Sequence, residues 1–298
     1  MANNFKKQIK GKIIKSVGGI CTIQTSDGVF TAKPRGIFRL KDISPVVGDN
    51  VILQKDSQSD EYIVFDIEDR KNYLVRPPLA NLDAIAFVIS SCKPRPSTII
   101  IDKLIAIAES KDVESILIFT KNDIKNSAEF SKIYSEIGYK VFCVNSHKYI
   151  GFDEIKQYFN GKLIALIGNS GVGKTTFLNM IMPNLNLQTQ EISKKLGRGK
   201  HTTRHAEIYS EGGMCIADTP GFSTVDIERY GRISAGELQN CFLEFQPFKD
   251  KCRFSDCSHI NEQDCEVKKA CENGLISQSR YKSYEIMYKE ALSYNSWE

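Results

Sequence analysis

The sequence predicts a multidomain protein with three parts: an N-terminal all-β OB-fold barrel over residues 1–68, a central α/β body with a mainly parallel sheet over 69–228, and a mostly helical, metal-pinned module over 229–298. Three observations carry this expectation. Five short β-like runs separated by turn residues fill the stretch from Gln8 to Ile67. Strand-like and helix-like runs then alternate as far as a glycine-rich loop at Gly168–Thr176. Finally, Cys252, Cys257, His259 and Cys265 cluster near the C-terminal end.

At 298 residues the chain has room for about two or three domains and a substantial core. With 41% hydrophobic and 26% charged residues, its composition is that of an ordinary globular protein. No run of about 18 apolar residues is present, so no membrane span is expected. The first residues, Met1 to Lys7, lead into polar sequence rather than a secretory apolar core, so the expected compartment is the cytoplasm. There, nine cysteines read as thiols or metal ligands rather than disulfides. The net charge is only +4, but residues 1–41 carry nine Lys or Arg (Lys6, Lys7, Lys10, Lys12, Lys15, Lys33, Arg35, Arg39, Lys41) against Asp27 alone. That imbalance favours an anionic partner for the N-terminal part.

The barrel runs are Gln8–Ile14, Ile20–Thr25, Val29–Lys33, Asn50–Gln54 and Tyr62–Ile67, with turn signals at Gly18-Gly19, Ser26-Asp27-Gly28, Pro45 and Gly48-Asp49. Five strands in so short a span fit an OB-fold, a barrel that binds single-stranded or irregular RNA on one face. After Arg70-Lys71-Asn72 and an expected linker at Arg76-Pro77-Pro78 the pattern changes. Strands are expected at Ala84–Ile89, Ser115–Phe119 and Lys140–Val144, and helices at Thr98–Ser110, Ser127–Ile137 and Phe152–Phe159. Alternation of this kind gives a sheet covered on both faces, with ligands at the carboxyl ends of its strands.

The stretch Gly168-Asn169-Ser170-Gly171-Val172-Gly173-Lys174-Thr175-Thr176 follows the apolar run Leu163–Ile167 and opens a helical segment. It matches G-x-x-x-x-G-K-[ST], the P-loop. Its glycines let successive backbone N–H groups point at β- and γ-phosphates, helped by the positive end of the following helix. Lys174 is the expected phosphate-neutralising group, and Thr175 the hydroxyl that meets Mg²⁺.

At the end of the Ser115 strand lies Thr120-Lys121-Asn122-Asp123, which resembles the [NT]-K-x-D element that reads guanine. A carboxylate at Asp123 can accept from both N1–H and N2–H of guanine, a donor pair that adenine lacks, and the methylene stem of Lys121 can lie along the purine. Ser146, after the next strand, is placed to offer its N–H to guanine O6. Downstream of the P-loop, Asp218-Thr219-Pro220-Gly221 resembles D-x-x-G, with Asp218 reaching Mg²⁺ through water and the Gly221 N–H sensing the γ-phosphate. Between them, Thr202 or Thr203 supplies the switch hydroxyl to Mg²⁺, with Thr203 preferred. The guanine element comes before the P-loop, whereas the usual order places it last. The central part is therefore expected to be a circularly permuted P-loop GTPase, its site assembled from the same spatial positions.

The spacing C-x4-C-x-H-x5-C over Cys252, Cys257, His259 and Cys265 suits a closed, structural Zn²⁺ site, with Cys271 as the rival to His259. Flanking segments at Ser234–Phe245 and Gln278–Leu292 read as helical.

A barrel, a permuted GTPase and a Cys3His module in this order resemble the RsgA (YjeQ) family, bacterial GTPases of late small-subunit assembly, over nearly the whole chain. The resemblance implies GTP as substrate, GDP as product, and the small ribosomal subunit with its rRNA as the stimulating partner of a monomer. Phosphoryl transfer also needs a positioned water. Many GTPases place Gln directly after D-x-x-G, but Phe222 stands there, so intrinsic turnover is expected to be slow. The missing group is either His201 or one that the partner supplies. The competing expectations are a guanine-nucleotide-dependent RNA-binding module without turnover, and an ATPase.

Overall fold

In the computed structural model, residues 8–40, 43–56, 59, 61–185, 206–219 and 232–294 are described. The barrel comprises β1 (Gln8–Val17), β2 (Ile20–Thr25), β3 (Gly28–Pro34), β4 (Asn50–Lys55) and β5 (Tyr62–Ile67), with the short helix α1 (Ile37–Leu40) between β3 and β4. β1 pairs antiparallel with both β2 and β4, β2 with β3, and β4 with β5, while β3 and β5 close the barrel in parallel. Strand alternation sends Ile9, Ile13, Cys21, Ile23, Ala32, Val51, Leu53 and Val64 into its core. Gly11 permits the tight crossing of β1, since a Cβ there would lie 2.5 Å from Ile23 Cγ2 and 2.7 Å from Gln24 O.

Three of the basic residues expected to meet an anionic partner are engaged within the chain: Lys10 with Glu68, Lys15 with Glu207 and Lys33 with Glu61. The expected linker at Arg76-Pro77-Pro78 is instead the tip of a hairpin formed by β6 (Tyr73–Val75) and β7 (Pro78–Ala80). Leu74 and Leu79 are buried under it, and Ala80 N donates to Val47 O at 3.0 Å, which lays the hairpin against the barrel. Pro78 fits because it is the first residue of its strand, a position compatible with its missing N–H.

The central body contains β8 (Ala84–Ser90), α2 (Thr98–Glu109), β9 (Glu114–Thr120), α3 (Ala128–Ile137), β10 (Lys140–Cys143), α4 (Phe152–Phe159), β11 (Leu163–Ile167), α5 (Lys174–Ile181), β12 (Glu207–Glu211) and β13 (Met214–Asp218). Its strand order is β10-β9-β8-β11-β13-β12. Every pair is parallel except β12–β13. β8 and β11 are buried along their whole length, as continuous apolar runs in a doubly covered sheet should be. The antiparallel edge strand β12 has no strong pattern of its own and pairs in turn with β1 of the barrel, so barrel and body share one 11-stranded sheet. Among the described residues, no helix is long and apolar enough to cross a membrane.

A single helix over Ser234–Phe245 does not form. A capping box at Ser234 and Glu237 starts a helix at Ala235–Leu238, followed by 3₁₀ turns at Gln239–Cys241 and Leu243–Phe245 and a helix at Gln246–Lys249. Phe242 is extended, with φ −112° and ψ 98°, and the break lets Phe242 and Phe245 both pack on Tyr284. The terminal helix, Gln278–Tyr294, carries Arg280 into the junction with the body.

Arg280 is 1% exposed there. Its Nε and Nη2 donate to the two carboxylate oxygens of Glu244 at 2.6 and 3.1 Å, and its Nη1 donates to Asp102 Oδ1 of α2 at 2.7 Å. Tyr134 of α3 donates its hydroxyl to the same Asp102 oxygen at 3.0 Å. Such a network is worth little beyond well-packed hydrocarbon while complete, but losing one member leaves buried charge unpaired. Arg280→Ala is therefore expected to destabilise the fold by about 3–5 kcal/mol, read from urea midpoints. A change below about 1 kcal/mol would remove this junction as a structural anchor.

Near the same junction, burial pushes the Glu109 carboxyl up to about 7, against a weaker opposing effect of Ser115. The native state therefore holds a proton that the unfolded chain releases at lower pH, and stability falls as pH rises from about 4.5 through about 7. Glu109→Gln is expected to flatten the fall in Tm between pH 5 and 8. An unchanged pH profile would show that Glu109 is not its source.

Candidate functional site

The carboxyl ends of β11, β9 and β10 converge. Gly171 and Gly173 of the P-loop adopt φ values of +78° and +101°, the left-handed region that glycine enters without a Cβ penalty, and Gly173 caps α5. At Gly168 any Cβ would stand 2.6 Å from Val88 O, so the loop can lie this close to β8 only with glycine. Val172 is buried against the core beneath. The Lys174 ammonium is curled into the loop, donating to Gly168 O and to Asn169 O. Burial lowers its pKa and the nearby Asp218 carboxylate partly restores it.

The Thr120–Asp123 segment is strapped to this loop. Thr120 Oγ1 lies 2.5 Å from Val172 O and 3.2 Å from Ile89 O. Lys121, at φ +57°, donates its ammonium to Gly171 O at 2.7 Å and to Lys93 O. Asn122 Oδ1 accepts from the backbone N–H of Ser127 at 2.9 Å and its hydroxyl at 3.1 Å, so this oxygen shapes the loop. Asp123 Oδ2 is 3.6 Å from His147 Nε2. Ser146 sits in a turn in which Asn145 Oδ1 accepts from the N–H groups of His147 and Lys148, both at 3.0 Å. Thr120 to Asp123, Ser146 and the P-loop are thus brought together at one end of the sheet.

Asp218 ends β13, directly across the ladder from Leu166 on β11 and from Glu207 on β12. Burial pushes its carboxyl up to about 6, with Lys174 lowering it and Glu207 raising it. Next to it, Thr219 donates its buried hydroxyl to Leu166 O at 2.9 Å, which holds the start of the D-x-x-G segment against the P-loop strand. His201, Thr202, Thr203 and Gly221 lie outside the described residues.

In the C-terminal module Cys252, Cys257, His259 and Cys265 bring their ligand atoms within 4.8 Å of one another, and Cys271 lies outside this group. The three thiols and one imidazole fit a tetrahedral site. His259 is fully buried at φ +61°, with Nδ1 3.4 Å from Cys265 Sγ and 3.6 Å from Cys252 Sγ. Its other nitrogen, Nε2, pairs with Gln239 Oε1 at 2.9 Å, which fixes Nδ1 as the ligating atom. The loop is held by Glu262, which accepts from Ser258 N–H and hydroxyl and from the N–H groups of Ile260 and Asn261. Burial alone would raise the Glu262 carboxyl, yet these bonds hold it down at about 2. Tyr281 and Tyr284 of the terminal helix donate to the carbonyls of His259 and Ser258, both at 2.7 Å. Gln239, Glu262 and Thr219 were not among the expected residues: Gln239 and Thr219 are revealed by partners distant in sequence, and Glu262 by bonds within its own loop that carry no motif.

A P-loop beside a guanine-type T-K-x-D element on a sheet of this order, with that element earlier in the chain, defines a circularly permuted P-loop GTPase. A family model described as the RsgA GTPase matches residues 67–228, and one described as the RsgA N-terminal domain matches residues 10–63. The chain belongs to the RsgA family of small ribosomal subunit biogenesis GTPases. The Staphylococcus haemolyticus relative named "Small ribosomal subunit biogenesis GTPase RsgA" is 41% identical over 94% of this chain and 96% of its own. A relative of the same name from Halalkalibacterium halodurans is 37% identical over 94% and 96%. The crystal structure of YjeQ from Thermotoga maritima superimposes with a TM-score of 0.81 at 33% identity, over 96% of this chain and 99% of that one. That of YloQ, described as a circularly permuted GTPase, gives 0.79 at 30% identity over 98% of each chain.

Removing the Gln239 acceptor frees the His259 ring. Gln239→Ala is expected to weaken metal binding by about 10- to 100-fold in chelator competition. Wild-type metal retention in that variant would deny Gln239 its orienting role.

Proposed function

We propose that the protein binds the small ribosomal subunit late in its assembly and hydrolyses GTP to GDP and phosphate there, meeting rRNA through its barrel and its C-terminal module. The observation that supports this reading is the strap from Thr120 and Lys121 to the P-loop, which ties the T-K-x-D segment to the glycine-rich loop. The names of the relatives supply the subunit.

In this reading Asp123 accepts from guanine, Lys121 flanks the base and Ser146 offers its N–H to O6. The backbone N–H groups of Gly168–Thr176 and the Lys174 ammonium hold the phosphates, and Gly221 meets the γ-phosphate. Thr175, Thr203 and Asp218 are the residues that would hold Mg²⁺, and the half-buried carboxylate of Asp218 beside Lys174 fits that donor set. Bound there, the ion supplies charge neutralisation at the β- and γ-phosphates. His201 or a partner group orients the attacking water, because Phe222 offers no hydrogen bond. Zn²⁺ suits Cys252, Cys257, His259 and Cys265 and is structural, since four protein ligands leave no open position. The working units are residues 1–68, 69–228 and 229–298 of a cytoplasmic monomer.

Multiple-turnover phosphate release is expected to be slow for the protein alone and to rise on adding small subunits. Asp123→Asn is expected to weaken GTP binding relative to ATP, and Lys174→Ala to abolish turnover. Absence of stimulation would leave the second reading, favoured by Phe222, in which bound guanine nucleotide gates RNA binding without significant turnover.

A further inference from the structure

Within the shared sheet, body and barrel are paired at one register position between β1 and β12, Lys15 with Glu207. A bulge lies just before it, where the register of β1 against β2 shifts between Ile13 and Lys15. Bulges re-aim side chains, and beyond this one β1 exchanges β4 for β12 on one side while Lys15 stays paired with Thr22 of β2 on the other. Lys15 Nζ then reaches both carboxylate oxygens of Glu207 at 3.0 Å. Glu207 is the cross-strand partner of Asp218, so their side chains share one face of the sheet. Across four elements the charges therefore run Lys15, Glu207, Asp218, Lys174, two neighbouring acids with a lysine at either end. Directly opposed like charges are unfavourable, and here a lysine on each side offsets them. The body supplies one of these lysines and the barrel the other.

We propose that Lys15 and Glu207 form a positioning pair through which the barrel sets the charge beside Asp218, and with it the preference of the site for triphosphate over diphosphate. The inference rests on the reading above that Asp218 and Lys174 face the terminal phosphate. Neither residue of the pair touches nucleotide. Glu207 acts through Asp218, and Lys15 acts by neutralising Glu207. With Lys15 in place the extra negative charge of a γ-phosphate meets a balanced row. Without it, Glu207 adds an uncompensated negative charge one strand away.

The test uses the full-length protein with Mg²⁺ and measures the dissociation constants of GDP and a non-hydrolysable GTP analogue by competition with a fluorescent nucleotide. Lys15→Gln is expected to shift the analogue-to-GDP affinity ratio against the analogue by about three- to fivefold. Glu207→Gln is expected to shift it the other way, and the double variant Lys15→Gln/Glu207→Gln to return it near wild type. Added salt should shrink both single shifts. Opposite signs separate an electrostatic role from loosening of the junction, which would move both variants in one direction. Shifts of the same sign, or no shift in either, would overturn the proposal. Asp218→Asn is the control for the underlying reading: a ratio that ignores this substitution shows that Asp218 does not face the terminal phosphate.

Discussion

Everything at the carboxyl end of the sheet depends on two side chains giving their hydrogen bonds to the backbone of the P-loop. Thr120 reaches the carbonyl of Val172 and Lys121 that of Gly171, so a loop that would otherwise be an isolated glycine-rich turn is fixed to the neighbouring strand end. The carbonyl of buried Val172 is thereby satisfied, as a buried backbone group must be. The arrangement is indifferent to chain order. β8 lies between β9 and β11, and the same contacts form whether the guanine element precedes or follows the P-loop. This is the physical reason that a permuted chain can build an unpermuted site.

Much of this architecture could be read from the sequence, because its signals are local. The five barrel strands, β8 to β11 and helices α2 to α4 fall within a few residues of the positions expected from pattern and turn chemistry. The Cys3His group assembles from the four residues that its spacing singled out, with Cys271 apart. What escaped depends on partners distant in sequence. The β6–β7 hairpin looked like a linker because two prolines stand at its tip, and only Leu74 and Leu79 beneath it show that it is packed structure. The broken helix after Ser234 follows from the demand of Tyr284 for two phenylalanines, which no window of sequence contains. Among the candidate site residues, P-loop and guanine element were legible as motifs. The supports Thr219 and Gln239 were not, since each is an ordinary polar residue until the fold gives it a neighbour, and Glu262 sits in a local loop turn that no motif marks.

The C-terminal module is joined to the body by chemistry unlike that of the nucleotide end. Its Cys3His loop is held from within by Glu262 and from the terminal helix by Tyr281 and Tyr284, while the junction with α2 contains a buried ion cluster around Arg280. An apolar junction could slide, whereas a fully desolvated guanidinium shared by Glu244 and Asp102 admits one register. The ion cluster thus fixes α2 to the terminal helix, and the carbonyls of Ser258 and His259 in the Cys3His loop are bonded to that same helix.

The strand pairing between β1 and β12 bears on how the chain is made. Lys15 and Glu207 are 192 residues apart, so the barrel is complete in sequence long before the strand that joins it to the body exists. β11, which belongs between β8 and β13, likewise follows the three strands on its far side. Contacts of such separation incur loop-closure entropy late and slow the search for the native state. A nascent chain therefore carries a closed barrel and an open half-sheet with an unpaired β8 edge until Leu163–Ile167 emerges. The continuous sheet that unites barrel and body can close only after residues 207–218 have emerged.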